Sequence, residues 1–284
     1  MKIALIGVGL IGGSFSLAVK RRRLNVKVAG VDRDSKNLRT AKDLGIVDSL
    51  ETLEEAIEGA DLIILAIPVN AAIEVLPNVL NLVNENQLVV DFGSTKEAIC
   101  KRVDGHPKRS NYLAAHPMAG TEYSGPEAAF ATLFEDKVMV LCEADKTGVT
   151  QLVMFNELCK NLAMNIVQMT PKEHDLHIAY VSHLSHISSF ALSTAVLQKE
   201  KDEKHIFAMA GSGFASTVRL AKSSPEMWSP IFQQNKDNVS EALKNYIEEL
   251  KKFQQALVDN NEQHLKEFML EANKIRPIID GIGS

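Results

Sequence analysis

His116 is the side chain whose setting most invites chemistry. It closes a short apolar run, Tyr112-Leu113-Ala114-Ala115, and leads into Pro117-Met118-Ala119-Gly120-Thr121-Glu122. A histidine at a strand end, ahead of proline and a small-residue loop, is held in place yet open to a cleft. Such an imidazole is either a general base working near neutral pH or a hydrogen-bonded structural residue. Ser94 ends another apolar run, in Asp91-Phe92-Gly93-Ser94-Thr95-Lys96. It reads as a hydroxyl beside that histidine, as the N-cap of a helix beginning near Thr95, or as both. Gly7-Val8-Gly9-Leu10-Ile11-Gly12 has the spacing of a pyrophosphate cradle.

The glycine motif sits between an apolar strand, residues 2–6, and a helical pattern, which is the context that gives it meaning. Gly7 permits the tight turn and Gly9 leaves room for the backbone to meet pyrophosphate. Gly12 lets the helix approach the strand, and the helix N-terminus, at Leu10 and Ile11, faces the anion. A second strand, residues 26–31, ends at Asp32, which can accept hydrogen bonds from a ribose 2′-hydroxyl and would repel a 2′-phosphate. That favours NAD as cofactor, while Arg33 beside it is the group that could accommodate the phosphate of NADP. The strand spanning 61–68 ends in Pro68, where a loop would lie along the cofactor. Further strands are expected at 87–91, 112–115 and 137–142, with helices at 35–44, 52–58 and 71–83. Ligands of open α/β sheets bind at the carboxyl ends of strands, which places Ser94 and His116 on the binding edge.

After Asp145 the pattern becomes helical. A helix over 147–162 leads to a strand-like piece at 165–169, and Pro171 opens a long helix with Thr170 as N-cap. This helix carries His174, His177, Ser182, His183 and His186. At ~100° per residue, His174 and His177 share one side and His183 and His186 the roughly opposite one, ~13 Å further along. Four histidines so placed cannot meet at one metal ion, so no metal is expected. They line a cleft or are buried and hydrogen-bonded. Gly211-Ser212-Gly213 then leads into a helix bearing Arg219, and Trp228 is the only tryptophan. Val239, Leu243, Tyr246, Leu250, Phe253 and Leu257 recur at spacings of four and three, a seam that needs a partner, inside the domain or across a dimer. A last helix is expected over 261–275, ended by Pro277. The organisation expected is a dinucleotide-binding α/β domain over 1–146 and a helical domain over 147–284.

Composition narrows the function. The 284 residues carry a net charge of −5, and no concentrated basic stripe points to nucleic acid. The basic run Lys20-Arg21-Arg22-Arg23 falls at the end of the first helix, where the helix dipole favours it. Cys100, Cys142 and Cys159 show neither disulfide pairing nor metal spacing, as suits a reducing cytoplasm. The chain enters a strand at Lys2, so no signal peptide is expected, and no apolar run is long enough to span a membrane.

These motifs together resemble the prephenate dehydrogenases and their arogenate-using relatives. The resemblance rests on Gly7 through Ser14, Asp91 through Lys96, His116 through Glu122, His174-Asp175, Ser182 through His186, Arg219 and Trp228, in order along nearly the whole chain. It implies a Rossmann-type domain followed by an all-α domain that forms a homodimer. It implies NAD-dependent oxidative decarboxylation of prephenate to 4-hydroxyphenylpyruvate in tyrosine biosynthesis, with arogenate as the alternative substrate. It further implies that His116 acts on the ring hydroxyl with Ser94 assisting and that Arg219 anchors a substrate carboxylate. His186 lies near the other end of the substrate, and Ser182, Thr121 and Trp228 complete the site. Many members carry a charged pair where this chain has Ala215-Ser216, so the loop before Arg219 offers it no charged partner. A non-catalytic NAD-binding module is the alternative of another class.

Overall fold

The computed structural model describes residues 1–22, 24–203 and 205–281, so Arg23 of the basic run lies outside the described residues. Residues Met1–Asn235 form one compact unit, and the chain from Lys236 forms a second. In the first, strands β1 (Lys2–Ile6), β2 (Lys27–Val31), β3 (Ser49–Leu50), β4 (Leu62–Leu65), β5 (Leu88–Asp91), β6 (Tyr112–Pro117), β7 (Val138–Cys142) and β8 (Asn165–Met169) make one sheet. Their order is β3-β2-β1-β4-β5-β6-β7-β8. Only β6 and β7 run antiparallel. Strand order reverses direction between β1 and β4, the switch point where such folds take ligands.

The inner strands β1, β4, β5, β6 and β7 are short and mostly apolar, as strands covered on both faces must be, whereas the edge strand β8 carries Asn165 and Gln168 and is largely exposed. Alternate residues supply two cores. Ile3, Leu5, Leu62, Ile64, Val90 and Ala115 meet α1 (Leu10–Arg21), α2 (Ser35–Asp43) and α6 (Val149–Asn161). Ala4, Ile63, Leu65, Val89 and Ala114 meet α3 (Leu53–Ile57), α4 (Val69–Leu82) and α5 (Glu97–Val103) on the other face. The two-residue β3 is too short for any periodicity in the sequence to reveal. Because β8 pairs with β7 in register Val138↔Asn165 to Cys142↔Met169, the sheet continues past the expected division at 146/147.

Beyond the sheet, Thr170 caps α7 (Pro171–Ile178) in a reciprocal capping box with Glu173. The expected single long helix is interrupted by a π turn at Ala179–His183 before α8 (Leu184–Asp202) resumes. One extra residue in a turn rotates every later side chain by ~100°. The expectation that His174 and His183 point to opposite sides is therefore corrected: both are buried, while His177 is exposed. The unit closes with α9 (Ser212–Thr217) and α10 (Pro225–Gln234), the latter capped by Ser224.

The second unit holds α11 (Lys236–Val258), α12 (Glu262–Ala272) and α13 (Arg276–Asp280). Phe253 of the α11 seam meets Phe268 of α12 edge to face at 5.3 Å between centroids. Leu250 and Leu257 of the same seam remain exposed. Pro277 does not end the last helix; it occupies the first turn of α13, where its missing N–H costs nothing. Among the described residues no helix is long and apolar enough to cross a membrane.

Candidate active site

In the glycine loop, Gly7 and Gly12 are required by close backbone approach. Gly7 has φ +94°, and a Cβ there would stand 2.3 Å from the Ala66 carbonyl oxygen. At Gly12 a Cβ would stand 2.1 Å from the Gly7 carbonyl oxygen. Gly9 is different: a Cβ there would meet no protein atom within 4 Å, so its smallness serves something other than internal packing. The N-terminus of α1, at Leu10 and Ile11, has no side-chain cap and no acidic residue in its first turn. Asp32 follows β2 and receives Val8 N at 3.1 Å and Asp34 N at 2.9 Å. Its two oxygens offer about four lone-pair positions, so acceptors remain for ribose hydroxyls. Arg33 and Pro68 are exposed on the same edge of the sheet. These residues fit a bound dinucleotide.

At the ends of β5 and β6 lies a buried polar network. Lys96 and Asp91 are fully buried and ion-paired, and Lys96 Nζ also donates to Ala115 O at 2.7 Å. Tyr112 Oη donates to Asp91 Oδ1 at 2.6 Å. Ser94 does not cap α5, contrary to one sequence expectation. The helix starts at Glu97, and its first amides are capped from a distant segment: Asp175 Oδ1 receives Lys96 N at 2.7 Å and Oδ2 receives Glu97 N at 2.9 Å. Ser94 stays partly buried, with no hydrogen bond from its side chain among the described residues.

The same carboxylate starts a chain that ends on His116. His174 Nδ1 stands 2.7 Å from Asp175 Oδ1, and His174 Nε2 stands 2.8 Å from His116 Nδ1. Burial holds both imidazoles below the usual histidine range, His116 well below, and the neighbouring His174 pushes His116 further. With both rings neutral, the carboxylate sets the proton order. The carboxylate accepts from His174 Nδ1–H, which leaves His174 Nε2 as an acceptor for the Nδ1–H of His116. His116 Nε2 is then an unprotonated nitrogen with no protein partner among the described residues. Asn235 Nδ2 donates to the Asp175 carbonyl at 2.6 Å and lies 3.2 Å from His183 Nδ1.

A second cluster gathers the helical candidates. His186 stacks on Trp228 at 3.5 Å between centroids, and His183 meets the same indole edge-on at 5.8 Å. His186 Nδ1–H donates to the Ser182 carbonyl at 3.0 Å, and burial lowers its pKa, with the nearby Arg219 charge adding to the shift. Trp228 Nε1 and His183 Nε2 are buried without a hydrogen-bond partner among the described residues. Arg219 does find a charged partner, though not in its own loop: Nη1 donates to Glu122 Oε2 at 2.7 Å. Glu122 belongs to the loop that begins at His116, so this ion pair links the two clusters. Thr121 is exposed, and its hydroxyl receives Tyr123 N at 3.2 Å. No hydrogen bond among the described residues joins Ser94, Ser182 or Thr121 to His116. His174, Asp175, Lys96 and Glu122 were not singled out as site residues by sequence. The adjacent His174-Asp175 pair in a capped first turn was the one visible signal.

A mostly parallel sheet with its glycine loop at the switch point, followed by helices, is the architecture of a dinucleotide-dependent oxidoreductase of the Rossmann class. Family models described as prephenate dehydrogenase, nucleotide-binding domain, and prephenate dehydrogenase, dimerization domain, match residues 15–168 and 170–271. The chain belongs to the prephenate dehydrogenase family. It is 30% identical over 277 residues to the prephenate dehydrogenase of Bacillus subtilis, covering 96% of this chain and 75% of that one. It is similar to the crystal structure of Aquifex aeolicus prephenate dehydrogenase in complex with hydroxyphenyl propionate and NAD+. That match has a TM-score of 0.90 and 30% identity, and covers 98% of both chains. It is also similar to Synechocystis arogenate dehydrogenase, with a TM-score of 0.77 and 26% identity over 98% of this chain and 100% of that one.

Proposed function

We propose that this chain catalyses the NAD-dependent oxidative decarboxylation of prephenate to 4-hydroxyphenylpyruvate, a step of tyrosine biosynthesis. The observation that carries the proposal is the hydrogen-bond chain from Asp175 through His174 to His116, which leaves His116 Nε2 unprotonated. Bound NAD supplies the hydride acceptor. Gly7, Gly9, Gly12 and the α1 amides at Leu10 and Ile11 would hold its pyrophosphate, Asp32 would accept from its ribose with Arg33 beside it, and Pro68 would lie along it.

Prephenate carries an alcohol on a ring carbon and two carboxylates. His116 Nε2 takes the hydroxyl proton as that carbon is oxidised, and Ser94 donates to or accepts from the same hydroxyl. Loss of CO2 then aromatises the ring, its bonding electrons passing to the carbonyl oxygen, which is reprotonated. A neutral base of this kind contributes ~10²–10⁴-fold. Arg219 binds a substrate carboxylate through Nη2 and Nε, while Nη1 stays on Glu122, which holds the guanidinium in place. His186, Trp228, Ser182 and Thr121 surround the far end of the substrate. We further propose division into a nucleotide-binding part and a helical part, dimerisation of this chain with itself through the C-terminal helices, and a cytoplasmic site of action. The exposed Leu250 and Leu257 of α11 support the dimer.

The test is formation of NADH from NAD and prephenate, followed by absorbance. His116→Asn should lower kcat by ~10²–10⁴-fold while NAD still binds. Arg219→Ala should raise the KM for prephenate by ~10–100-fold, the worth of a charge-assisted hydrogen bond. Unchanged kcat in the first, or unchanged KM in the second, would remove that residue from the mechanism. The likeness to an arogenate dehydrogenase favours arogenate as a second reading, and the same assay with arogenate decides between them.

A further inference from the structure

The dinucleotide cradle accounts for Gly7, Gly9 and Gly12, but not for Gly13 and Ser14 directly after them. Gly13 is buried, and a Cβ on it would stand 2.8 Å from the Cβ of Ala129 and 3.3 Å from Ile46 Cδ1. Ser14 is fully buried, and its Oγ receives Phe130 N at 3.0 Å. Ala129 and Phe130 belong to the connection between β6 and β7. That connection leaves the sheet at Met118, whose N donates to Val138 O at 2.8 Å. It then carries Thr121 and Glu122, turns at Gly125 with φ +86°, buries Pro126, and reaches α1. The stretch holding Thr121 and Glu122 is thus suspended between two anchors. One is the sheet edge next to His116 and the other is the second turn of the dinucleotide helix.

We propose that Gly13 and Ser14 are positioning residues for the substrate side of the site rather than cofactor contacts. They clamp the β6–β7 connection onto α1 and thereby set where Glu122 meets Arg219. Gly13 removes the side chain that would hold the connection off the helix. Ser14 supplies the acceptor for an amide that the connection cannot satisfy itself. One helix therefore registers both halves of the site: its first turn faces the dinucleotide, its second holds the loop beside the substrate. The inference rests on the reading of Arg219 as the carboxylate anchor.

The test compares Gly13→Ala, Ser14→Ala and the double variant Gly13→Ala with Ala129→Gly in the full chain. Both single variants should raise the prephenate KM about fivefold to tenfold, with the Kd for NAD, from calorimetric titration without prephenate, changed by less than about twofold. Ala129→Gly, which removes the opposing Cβ, should restore the KM of Gly13→Ala. Hydrogen exchange at the Phe130 amide should accelerate in Ser14→Ala. A Kd for NAD that rises in step with the KM, a KM that does not move, or a failed rescue would overturn the proposal. If the unmodified chain does not turn over prephenate, the proposed function falls. The clamp is then judged by exchange alone, and an unchanged Phe130 amide in Ser14→Ala overturns it.

Discussion

Replacing Asp175 by asparagine probes the hydrogen-bond chain at its root. Asp175 Oδ1 serves Lys96 N at 2.7 Å and His174 Nδ1 at 2.7 Å, and Oδ2 serves Glu97 N at 2.9 Å. An asparagine of the same shape has one oxygen for these three donors. With its oxygen in the Oδ1 position, its amide group faces Glu97 N–H, donor against donor. In the other orientation the amide group faces Lys96 N–H and His174 Nδ1, and His174 must carry its proton on Nε2. That proton opposes His116 Nδ1, so His116 moves its own proton to Nε2, the nitrogen that must be free. Each stranded buried donor costs ~1–3 kcal/mol, so stability should fall by about that much in either orientation. Only the second orientation removes the base, and a variant held in it should lose ~10²–10⁴-fold in kcat. Urea unfolding measures the first effect, and kcat at saturating NAD and prephenate, corrected for the folded fraction, measures the second. NAD affinity should hold. An Asp175→Asn enzyme of unchanged stability would refute the donor count, because either orientation strands a buried amide. A folded variant with near-normal kcat would show that the first orientation is taken.

Burial, and then His174, hold His116 well below 6.5, so its base form persists into mild acid and the acid limb of kcat/KM should lie below pH 6.5; a limb at or above that value would contradict the assignment. Burial pushes His183 down to about 4 from 6.5. As pH falls below 6.5 the unfolded chain binds a proton there that the folded chain refuses until about pH 4, so stability is full above that window and lost through it, by about 3 kcal/mol in total. Urea midpoints that stay flat as the pH falls from 6.5 towards 5 would exclude this. Gly12→Ala must displace the Gly7 carbonyl and should lose both stability and NAD affinity, whereas Gly9→Ala, meeting no atom within 4 Å, should fold normally and lose NAD affinity alone. Calorimetric NAD titration beside urea unfolding separates the two, and equal stability losses would contradict the packing argument.

Local signals were readable in the sequence and distant ones were not. The apolar runs marked the strands because strands covered on both faces are apolar at every position. Thr170 and Pro171 marked the start of α7 because an N-cap and a first-turn proline act within one turn. His116 and Ser94 came to the correct sheet edge because parallel strands end on the same side. The partners that define His116 were hidden: His174 lies 58 residues away, and Asp175 caps α5 from 78 and 79 residues away. No periodicity encodes a helix capped by another segment. The π turn was hidden too, since its one extra residue leaves no mark in composition yet changes which histidines are buried. Glu122 replaced the missing charge at Ala215-Ser216 from another loop, a substitution visible only in three dimensions.

The buried trio of Asp91, Lys96 and Tyr112 limits how this sequence can drift. Losing Lys96 alone leaves the Asp91 carboxylate buried without a charged partner, a change of ~3–5 kcal/mol when one member of a buried pair goes. That is a large share of the ~5–15 kcal/mol that keeps a domain folded. Exchanging the trio for apolar residues of equal volume can be neutral, but it requires changes in β5, in the loop after it and in β6 at once. Losing either charged partner alone takes a large share of the folding stability, so Asp91 and Lys96 tend to be inherited together. The Ala115 carbonyl, held by Lys96 directly before His116, is frozen with them. The backbone under the reactive imidazole is therefore among the parts of this chain least free to evolve.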